Sequence, residues 1–240
     1  MLDFDAFEVM TFDCYGTLID WETGILSSLR RIMGDSISHI NNEEILELYG
    51  RLEAEAESGD FINYKSVLHR VLREMGKHLD FTPNEQDLDR FAFSLKDWPP
   101  FPDTPAALRA LKRRYRLAVI SNVDDDLFEF SQRLMDINFD WIITAEQVRS
   151  YKPSLRNFQY AIEKIGIASG RILHVAQSHY PDIVPARTMG LATVWINRRV
   201  GRKGPGATRA AQGTPDLEVL DLESLVSMIN ESTGRYGGES

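Results

Sequence analysis

The chain has 240 residues, enough for one large domain or for a core with a smaller module. Its apolar fraction of 43% is ordinary for a soluble globular protein, and no run approaches the roughly 18 apolar residues that a membrane span needs. The formal net charge of −9 argues against nucleic acid and against an anionic membrane surface as partners.

Five apolar runs along the chain are typical of buried parallel strands. In chain order they are EVMTFD (8–13), RLAVISN (116–122), the less apolar DWIITAE (140–146), RILHVAQS (171–178) and ATVWIN (192–197). Helical patterns separate them, at PAALRALKRRY (105–115), at 125–135 and at SLRNFQYAIEKIG (154–166). This alternation predicts an α/β fold, a Rossmann-like parallel sheet covered by helices on both faces.

The alternation is interrupted once, because residues 21–98 contain helical patterns and no convincing strand. The patterns are ETGILSSLRRIM, NEEILELYGRLEAEAE, INYKSVLHRVLREM and NEQDLDRFAFSLKDW, and the proline-rich PPFPDTP follows them. We therefore expect an inserted α-helical cap domain at 21–98 and a core domain made of 1–20 and 99–240. The basic, glycine-rich stretch 198–214 is predicted to be a solvated loop.

The single cysteine, Cys14, allows no internal disulfide, which favours a reducing compartment. The N-terminal segment MLDFDAFEVM is acidic and lacks the basic stretch that opens a secretory signal. We therefore expect a cytoplasmic protein with no membrane or nucleic-acid partner.

Polar side chains follow the predicted strands at the points where each strand ends. In a parallel sheet these positions converge on one crevice. The converging residues are Asp13 with Thr17, Ser121 with Asn122, the segment before Lys152, and Gln177 and Ser178 with Asp182. A carboxylate, hydroxyls, an amide and a lysine together are typical of a site that handles a small anionic substrate with a carboxylate nucleophile.

Four stretches in this order resemble the successive motifs of the haloacid dehalogenase superfamily, and the L-2-haloacid dehalogenase branch most closely. They are FDCYGTLID, VISNVDDDLF, YKPSLRNF and VAQSHYPDIVPARTMGLATVWINR. The insertion at 21–98 is similar to the helical cap of that branch. The resemblance implies a hydrolase that cleaves a carbon–halogen bond through a covalent aspartyl-ester intermediate, with no metal or other cofactor, and a homodimer.

The resemblance also implies roles for individual residues. Asp13 would be the nucleophile, and Lys152 would neutralise and position it. Thr17 and Ser121 would hold the carboxylate of Asp13 or of the substrate. Asp182 would pair with Lys152 or orient the hydrolytic water.

Five further residues would bind the substrate or the halide if the resemblance holds. Asn122 would help to cradle the leaving halide, and Tyr15 would form an aromatic wall beside the halogen-bearing carbon. Arg51, on the cap, would replace the arginine that grips halide or carboxylate. Phe158 stands where the branch has a tyrosine, and Ser178 stands where it has an asparagine.

The residue two places after Asp13 bears on the leaving group. Superfamily phosphatases carry an acid there to protonate a departing alkoxide, whereas this chain has Tyr15. A halide is a far weaker base and departs without a proton, so general-acid help worth roughly 10²–10⁴ in rate can be omitted. The missing carboxylate therefore favours halide as the leaving group.

Two other interpretations remain open from the sequence. In the first, the chain is a Mg²⁺-dependent phosphatase in which Asp13 and Asp182 help to hold the ion. In the second, it is a catalytically idle module that binds a small anion.

Overall fold

Six strands of the computed structural model form one parallel sheet in the order β3-β2-β1-β4-β5-β6. The structure describes residues 2–202, 204, 206–209 and 211–234. The strands are β1 (Val9–Phe12), β2 (Arg116–Ser121), β3 (Trp141–Thr144), β4 (Ile172–Ala176), β5 (Ala192–Ile196) and β6 (Leu217–Val219). The first strand lies at the centre, where β2 and β4 pair with it on either side.

Helices lie between most of these strands, and four extra helices follow β1. The helices are α1 (Trp21–Met33), α2 (Asn42–Ala56), α3 (Tyr64–His78), α4 (Glu85–Ala92), α5 (Thr104–Lys112), α6 (Asp125–Met135), α7 (Ala145–Val148), α8 (Leu155–Ile165), α9 (Val184–Thr188) and α10 (Leu222–Gly234). Short 3₁₀ turns occur at Phe4–Ala6, Gly34–Ile37, Phe93–Asp97 and Ser169–Arg171, and a π-helical turn spans His179–Ile183. Within the described chain, each helix is too short or too polar to cross a lipid bilayer.

Alternate residues of the central strand enter two separate apolar clusters. Met10 and Phe12 belong to a large cluster that includes residues of α5, α6, α10 and the inserted helices. Val9 belongs to a smaller cluster with residues of α7, α8 and α9. Because successive side chains of a strand point to opposite faces, the sheet is buried on both sides. The predicted α/β fold is confirmed.

All five predicted strands are present, and the structure adds a sixth, β6, that the apolar pattern does not reveal. Strand β6 has three residues, of which Glu218 is exposed, and it pairs with β5 alone. A strand this short, at the sheet edge and with a charged central residue, has too few apolar positions to be recognised.

Residues 21–98 form helices α1–α4 and the 3₁₀ turn at Phe93–Asp97, and this fully described range contains no strand. Asparagine side chains begin three of the helices by accepting a backbone hydrogen bond, at Asn41, Asn63 and Asn84. The apolar faces of these helices belong to the same cluster as one face of the sheet.

A carboxylate of the core domain, Asp124, is hydrogen-bonded to the inserted helices. Asp124, just before α6, accepts hydrogen bonds from the backbone N–H groups of Tyr64 (2.7 Å) and Lys65 (3.0 Å) at the start of α3. The Asp124 side chain is 1% exposed, so these bonds lie out of water. The contact satisfies two donors that the first turn of a helix leaves unpaired.

We predict that Gly24→Ala destabilises the protein, although alanine is the better helix former. A β-carbon at Gly24 would lie 2.3 Å from Cγ of Trp98, a fully buried side chain. Overpacking of this kind costs about 1–3 kcal/mol, which should lower the urea midpoint. Gly170→Ala is the matched control, because a β-carbon there meets no atom within 4 Å. An unchanged midpoint for Gly24→Ala would contradict the packing described here.

Candidate active site

The buried ammonium of Lys152 lies between two carboxylates at the carboxyl edge of the sheet. Its Nζ donates hydrogen bonds to Oδ1 of Asp13 (2.8 Å), to Oδ1 of Asp182 (2.6 Å) and to the backbone oxygen of Ile120 (2.8 Å). The Lys152 and Asp182 side chains are each 1% exposed, and that of Asp13 is 10% exposed. One cation therefore joins the ends of β1, β2 and β4.

Asn122 fixes the backbone of Lys152. The Lys152 N–H donates to Oδ1 of Asn122 at 2.7 Å, and Nδ2 of Asn122 donates to the backbone oxygen of Lys152 at 3.1 Å. This reciprocal pair holds the loop after α7 against the end of β2. The position of the ammonium is thus set by the backbone as well as by charge.

Each oxygen of Asp13 has its own donor. Lys152 serves Oδ1, and Oγ1 of Thr17 donates to Oδ2 at 2.7 Å. Thr17 in turn accepts a hydrogen bond from the backbone N–H of Gln177 at 2.8 Å. Burial raises the pKa of Asp13 above its ordinary value, and the Lys152 ammonium opposes that rise. The carboxylate is oriented at both oxygens.

Asp182 differs from Asp13 in its electrostatic environment. It accepts a short hydrogen bond from the Ser178 hydroxyl, and Nε2 of His174 lies 3.4 Å from its Oδ1. Burial alone would raise the pKa of Asp182, but Lys152 and the neighbouring His174 lower it to about 2. Asp182 is therefore the more strongly ionised member of the carboxylate pair.

A cavity of about 80 Å³ opens beside Asp13, between the sheet edge and the inserted helices. Its lining includes the predicted site residues Asp13, Tyr15, Ser121, Asn122, Lys152, Ser178 and Asp182. Thr17 supports Asp13 from behind and does not line the cavity. The four separated segments identified in the sequence thus converge on one small cavity.

The hydroxyl of Ser121 is unsatisfied in the described structure. The residue is 1% exposed, lines the cavity, and its Oγ has no hydrogen-bond partner among the described residues. An unpaired buried hydroxyl is costly, so a ligand oxygen in the cavity would compensate for it.

Tyr15 presents its ring to the cavity but directs its hydroxyl elsewhere. The hydroxyl lies 3.0 Å from Oγ of Ser131 on α6, and the ring packs edge-on against Trp98 with centroids 5.9 Å apart. Burial raises the pKa of the Tyr15 phenol well above its ordinary value. The residue is an apolar wall and is poorly placed as a proton donor to a ligand at Asp13.

Two predicted binding residues lie away from the cavity. Arg51 is exposed on α2 and forms a 3.5 Å ion pair with Glu55. It follows Gly50, which does line the cavity, and one residue turns a helix by about 100°. Phe158 is fully buried on α8, where it packs edge-on against His174 in the smaller cluster. The predicted binding roles of Arg51 and Phe158 are therefore corrected.

Sequence reasoning missed acidic residues of the inserted helices. Glu53 and Glu57 line the cavity together with Gly50 and Ala54, which lie on the same face of α2. The spacing of three and four residues could have indicated this face, but the pattern EAEAE reads equally well as a solvated surface.

Arg209 is the arginine that the structure places at the cavity. The stretch 198–214 was expected to be solvated, yet Ala207, Thr208 and Arg209 line the cavity and Ala207 is fully buried. A β-carbon at Gly50 would lie 2.7 Å from the backbone of Ala207, so the glycine permits this segment to approach α2. Arg209 also lies over the Tyr180 ring, 5.6 Å from its centroid.

The residues at the sheet edge do not suit a magnesium ion. Asp13 and Asp182, the carboxylates that would help to hold it, both bind the Lys152 ammonium. In the part of the chain that the structure describes, no group of three or more His, Cys, Asp or Glu side chains is arranged to hold a metal. Lys152 therefore supplies the positive charge that both carboxylates contact.

Comparison with known proteins gives the same family as the motifs. The model of haloacid dehalogenase-like hydrolases matches residues 7–190. The chain belongs to this family. This hydrolase is 31% identical over 224 residues to an (S)-2-haloacid dehalogenase of Pseudomonas putida, covering 91% of this chain and 96% of that protein.

Other relatives extend the similarity over nearly the whole chain. The hydrolase is 28% identical over 237 residues to an (S)-2-haloacid dehalogenase of Pseudomonas sp. (strain YL), covering 96% of this chain and 98% of that protein. The solved structure of L-2-haloacid dehalogenase from Xanthobacter autotrophicus superposes with a TM-score of 0.78 at 20% identity, covering 93% of this chain and 98% of that one. This superposition supports the fold.

We predict that Lys152→Met destabilises the hydrolase strongly at neutral pH. The substitution leaves Asp13 and Asp182 buried without a cation, and breaking a buried pair costs about 3–5 kcal/mol. Urea unfolding measures the loss. Arg133→Met is the control, because the exposed Arg133–Glu129 pair is worth at most about 0.5 kcal/mol.

The same variant should respond to pH in a defined direction. In the wild type the lowered pKa of Asp182 adds stability that is complete above about pH 4 and is lost as the pH falls toward about 2. Without Lys152 both carboxyls bind protons more readily in the folded state. Acidification should therefore reduce the difference in the free energy of unfolding between variant and wild type. A gap that is small at neutral pH, or that widens on acidification, would contradict the assigned pairing.

Proposed function

We propose that this hydrolase is a 2-haloacid dehalogenase. Asp13 attacks the halogen-bearing carbon from the side opposite the halogen, forming an aspartyl ester as the halide leaves with its bonding electrons. Water then attacks the ester carbonyl of Asp13 and releases a 2-hydroxy acid, inverted at C2. We propose further that the reaction needs no metal.

The single observation that carries this proposal is the environment of Asp13. Its carboxylate is fixed by Lys152 and Thr17 beside a small cavity, while the Tyr15 hydroxyl is turned toward Ser131. The site thus has an oriented nucleophile whose neighbouring loop offers no proton donor. Chloride and bromide are weak bases, and such leaving groups depart without one.

The cavity also contains polar groups that can bind the carboxylate and the halogen of a 2-haloacid. Arg209 and the unpaired Ser121 hydroxyl are available to a substrate carboxylate, and we assign that role to them. Asn122 lines the same cavity, and we assign its Nδ2 to the departing halide. The names of the relatives, (S)-2-haloacid dehalogenases, support the assignment at 31% and 28% identity.

We predict that Asp13→Asn abolishes halide release from 2-chloropropionate. With wild-type enzyme in excess and ¹⁸O-labelled water, a single turnover should place the label in Asp13, detected by peptide mass spectrometry. Asp20→Asn is the matched control, because residue 20 caps α1 and asparagine preserves an N-cap. Label appearing directly in the hydroxy acid of a single turnover would sink the ester mechanism.

We predict that Arg209→Gln raises KM for 2-chloropropionate, since a hydrogen bond to a charged group is worth about 1.5–3 kcal/mol, or about 10- to 100-fold. Arg51→Gln is the control, because Arg51 is exposed and paired with Glu55. Steady-state chloride release measures both. A KM that rises for Arg51→Gln and stays constant for Arg209→Gln would reverse the arginine assignment.

The two alternatives to a dehalogenase are the magnesium phosphatase and the idle anion-binding module. The same preparation distinguishes them, through assays of p-nitrophenyl phosphate with Mg²⁺ and of 2-chloropropionate with EDTA. Phosphatase activity lost in EDTA would favour the first alternative. The second would be favoured if no haloacid reacted while a small anion still raised the melting temperature.

A further inference from the structure

Glu57, the C-cap residue of α2, contacts the side chain that we assign to the departing halide. Both oxygens of Glu57 lie near Nδ2 of Asn122, at 3.3 and 3.5 Å, and both residues line the cavity beside Asp13. Asn122 is the residue that we assign to the departing halide. Glu57 therefore contacts the group that would solvate the leaving anion.

Glu57 forms no ion pair with a cation in the part of the chain that the structure describes. Among the described residues neither Glu57 nor Glu53 forms an ion pair, and the ammonium of Lys152 is already shared by Asp13 and Asp182. Glu53, one helical turn away, accepts hydrogen bonds from the hydroxyls of Tyr49 (2.8 Å) and Tyr64 (2.5 Å). Two unpaired acidic groups on one helix face favour retention of a proton.

Burial and then Glu53 raise the pKa of Glu57 well above its ordinary value, while Lys152 and the hydrogen bond from Asn122 oppose the rise. Burial likewise raises the pKa of Glu53 to about 7. The charged and titratable groups around Glu57 come from several elements: Glu53 on α2, Tyr64 on α3, Tyr151 and Lys152 after α7, Asp13 after β1, Asp182 in the π-helical turn, and Arg209.

We propose that Glu57, as a carboxylic acid, donates a hydrogen bond to the departing halide and thereby extends turnover to carbon–fluorine bonds. This inference rests on the proposed dehalogenase function. As Asp13 forms its bond to C2, the carbon–fluorine bond breaks and fluoride leaves with the electron pair. Fluoride accepts hydrogen bonds from Glu57 and from Asn122 Nδ2, and the proton stays on Glu57.

The choice of fluoride follows from charge density. Fluoride is the smallest halide and the strongest hydrogen-bond acceptor among them, so it gains most from a donor placed where charge develops. Bromide is large and polarisable and needs little help. An ionised Glu57 would instead repel either anion, so turnover should fall as the pH rises through the Glu57 pKa.

Three variants distinguish the hydrogen-bond donor of Glu57 from the negative charge that Glu57 carries when it is ionised. Glu57→Gln keeps an N–H donor that does not titrate, Glu57→Met removes the donor at similar length, and Glu55→Gln is an exposed control on the same helix. Release of fluoride and bromide from 2-fluoro- and 2-bromopropionate is measured for each across neutral and alkaline pH.

For Glu57→Met we expect kcat/KM for fluoride release to fall by about 100-fold and for bromide release by less than about fivefold, as for loss of one transition-state donor. Glu57→Gln should retain fluoride release within about tenfold and lose the decline at alkaline pH. Glu55→Gln should match the wild type. A purely structural role for Glu57 would lower both reactions equally.

A second measurement does not depend on turnover. Sodium bromide is titrated into each protein, and the saturable quenching of Trp21, which lines the same cavity, reports binding. Binding should weaken with rising pH in the wild type and be independent of pH in Glu57→Gln. A Trp21→Phe variant assigns the signal.

The two readouts separate failure of the inference from failure of the proposed function. If no haloacid releases halide but bromide binding follows Glu57, the dehalogenase function and the turnover of carbon–fluorine bonds are both overturned, and only the hydrogen bond from Glu57 to a bound halide stands. If halide is released and the Glu57 variants keep the wild-type fluoride-to-bromide ratio and pH profile, the donor role is overturned and the dehalogenase function stands. Absence of both turnover and Glu57-dependent binding overturns both.

Discussion

The structure depends on one ammonium group buried between two carboxylates. Lys152, Asp13 and Asp182 together carry a formal charge of −1 in a nearly dry environment. Removing any one of the three would leave a buried charge uncompensated and would destabilise the fold. Their chain positions are far apart, so the ion triad can form only if the ends of β1 and β4 and the loop after α7 meet. Hydrogen bonds from Thr17 and Ser178 satisfy further carboxylate oxygens and reduce the cost of burial.

Carboxyl groups in this cavity differ because their neighbours differ. Asp182 accepts hydrogen bonds from Lys152 and from the Ser178 hydroxyl, and its pKa is lowered. Glu57 has an acidic neighbour, forms no ion pair among the described residues, and its pKa is raised. Environments that move pKa values apart are the usual way in which one site provides both an anion and an acid. Asp182, beside the sheet, has a lowered pKa, whereas Glu53 and Glu57, from the inserted segment, have raised pKa values. The carboxyl groups with lowered and with raised pKa values thus come from different parts of the structure.

The sequence predicted the sheet and its converging residues because strand runs and strand-end positions are local signals. It could not place side chains that depend on helix rotation or on packing of a distant loop. Arg51 and Gly50 are neighbours in sequence but point in different directions, and Phe158 lies on the buried face of α8. Arg209 reaches the cavity only because Gly50 lets the backbone of Ala207 approach α2, a relation between residues far apart in the chain.

Asp124 belongs to the segment that carries Ser121 and Asn122, and it also caps the start of α3. Lifting the inserted helices away from the sheet would break both of its bonds to backbone amides and return this carboxylate to water. Under the proposed function, release of the hydroxy acid by that route would expose to water a side chain that takes no part in bond making. The two hydrogen bonds of Asp124 to the start of α3 would then influence the rate at which the cavity releases its product.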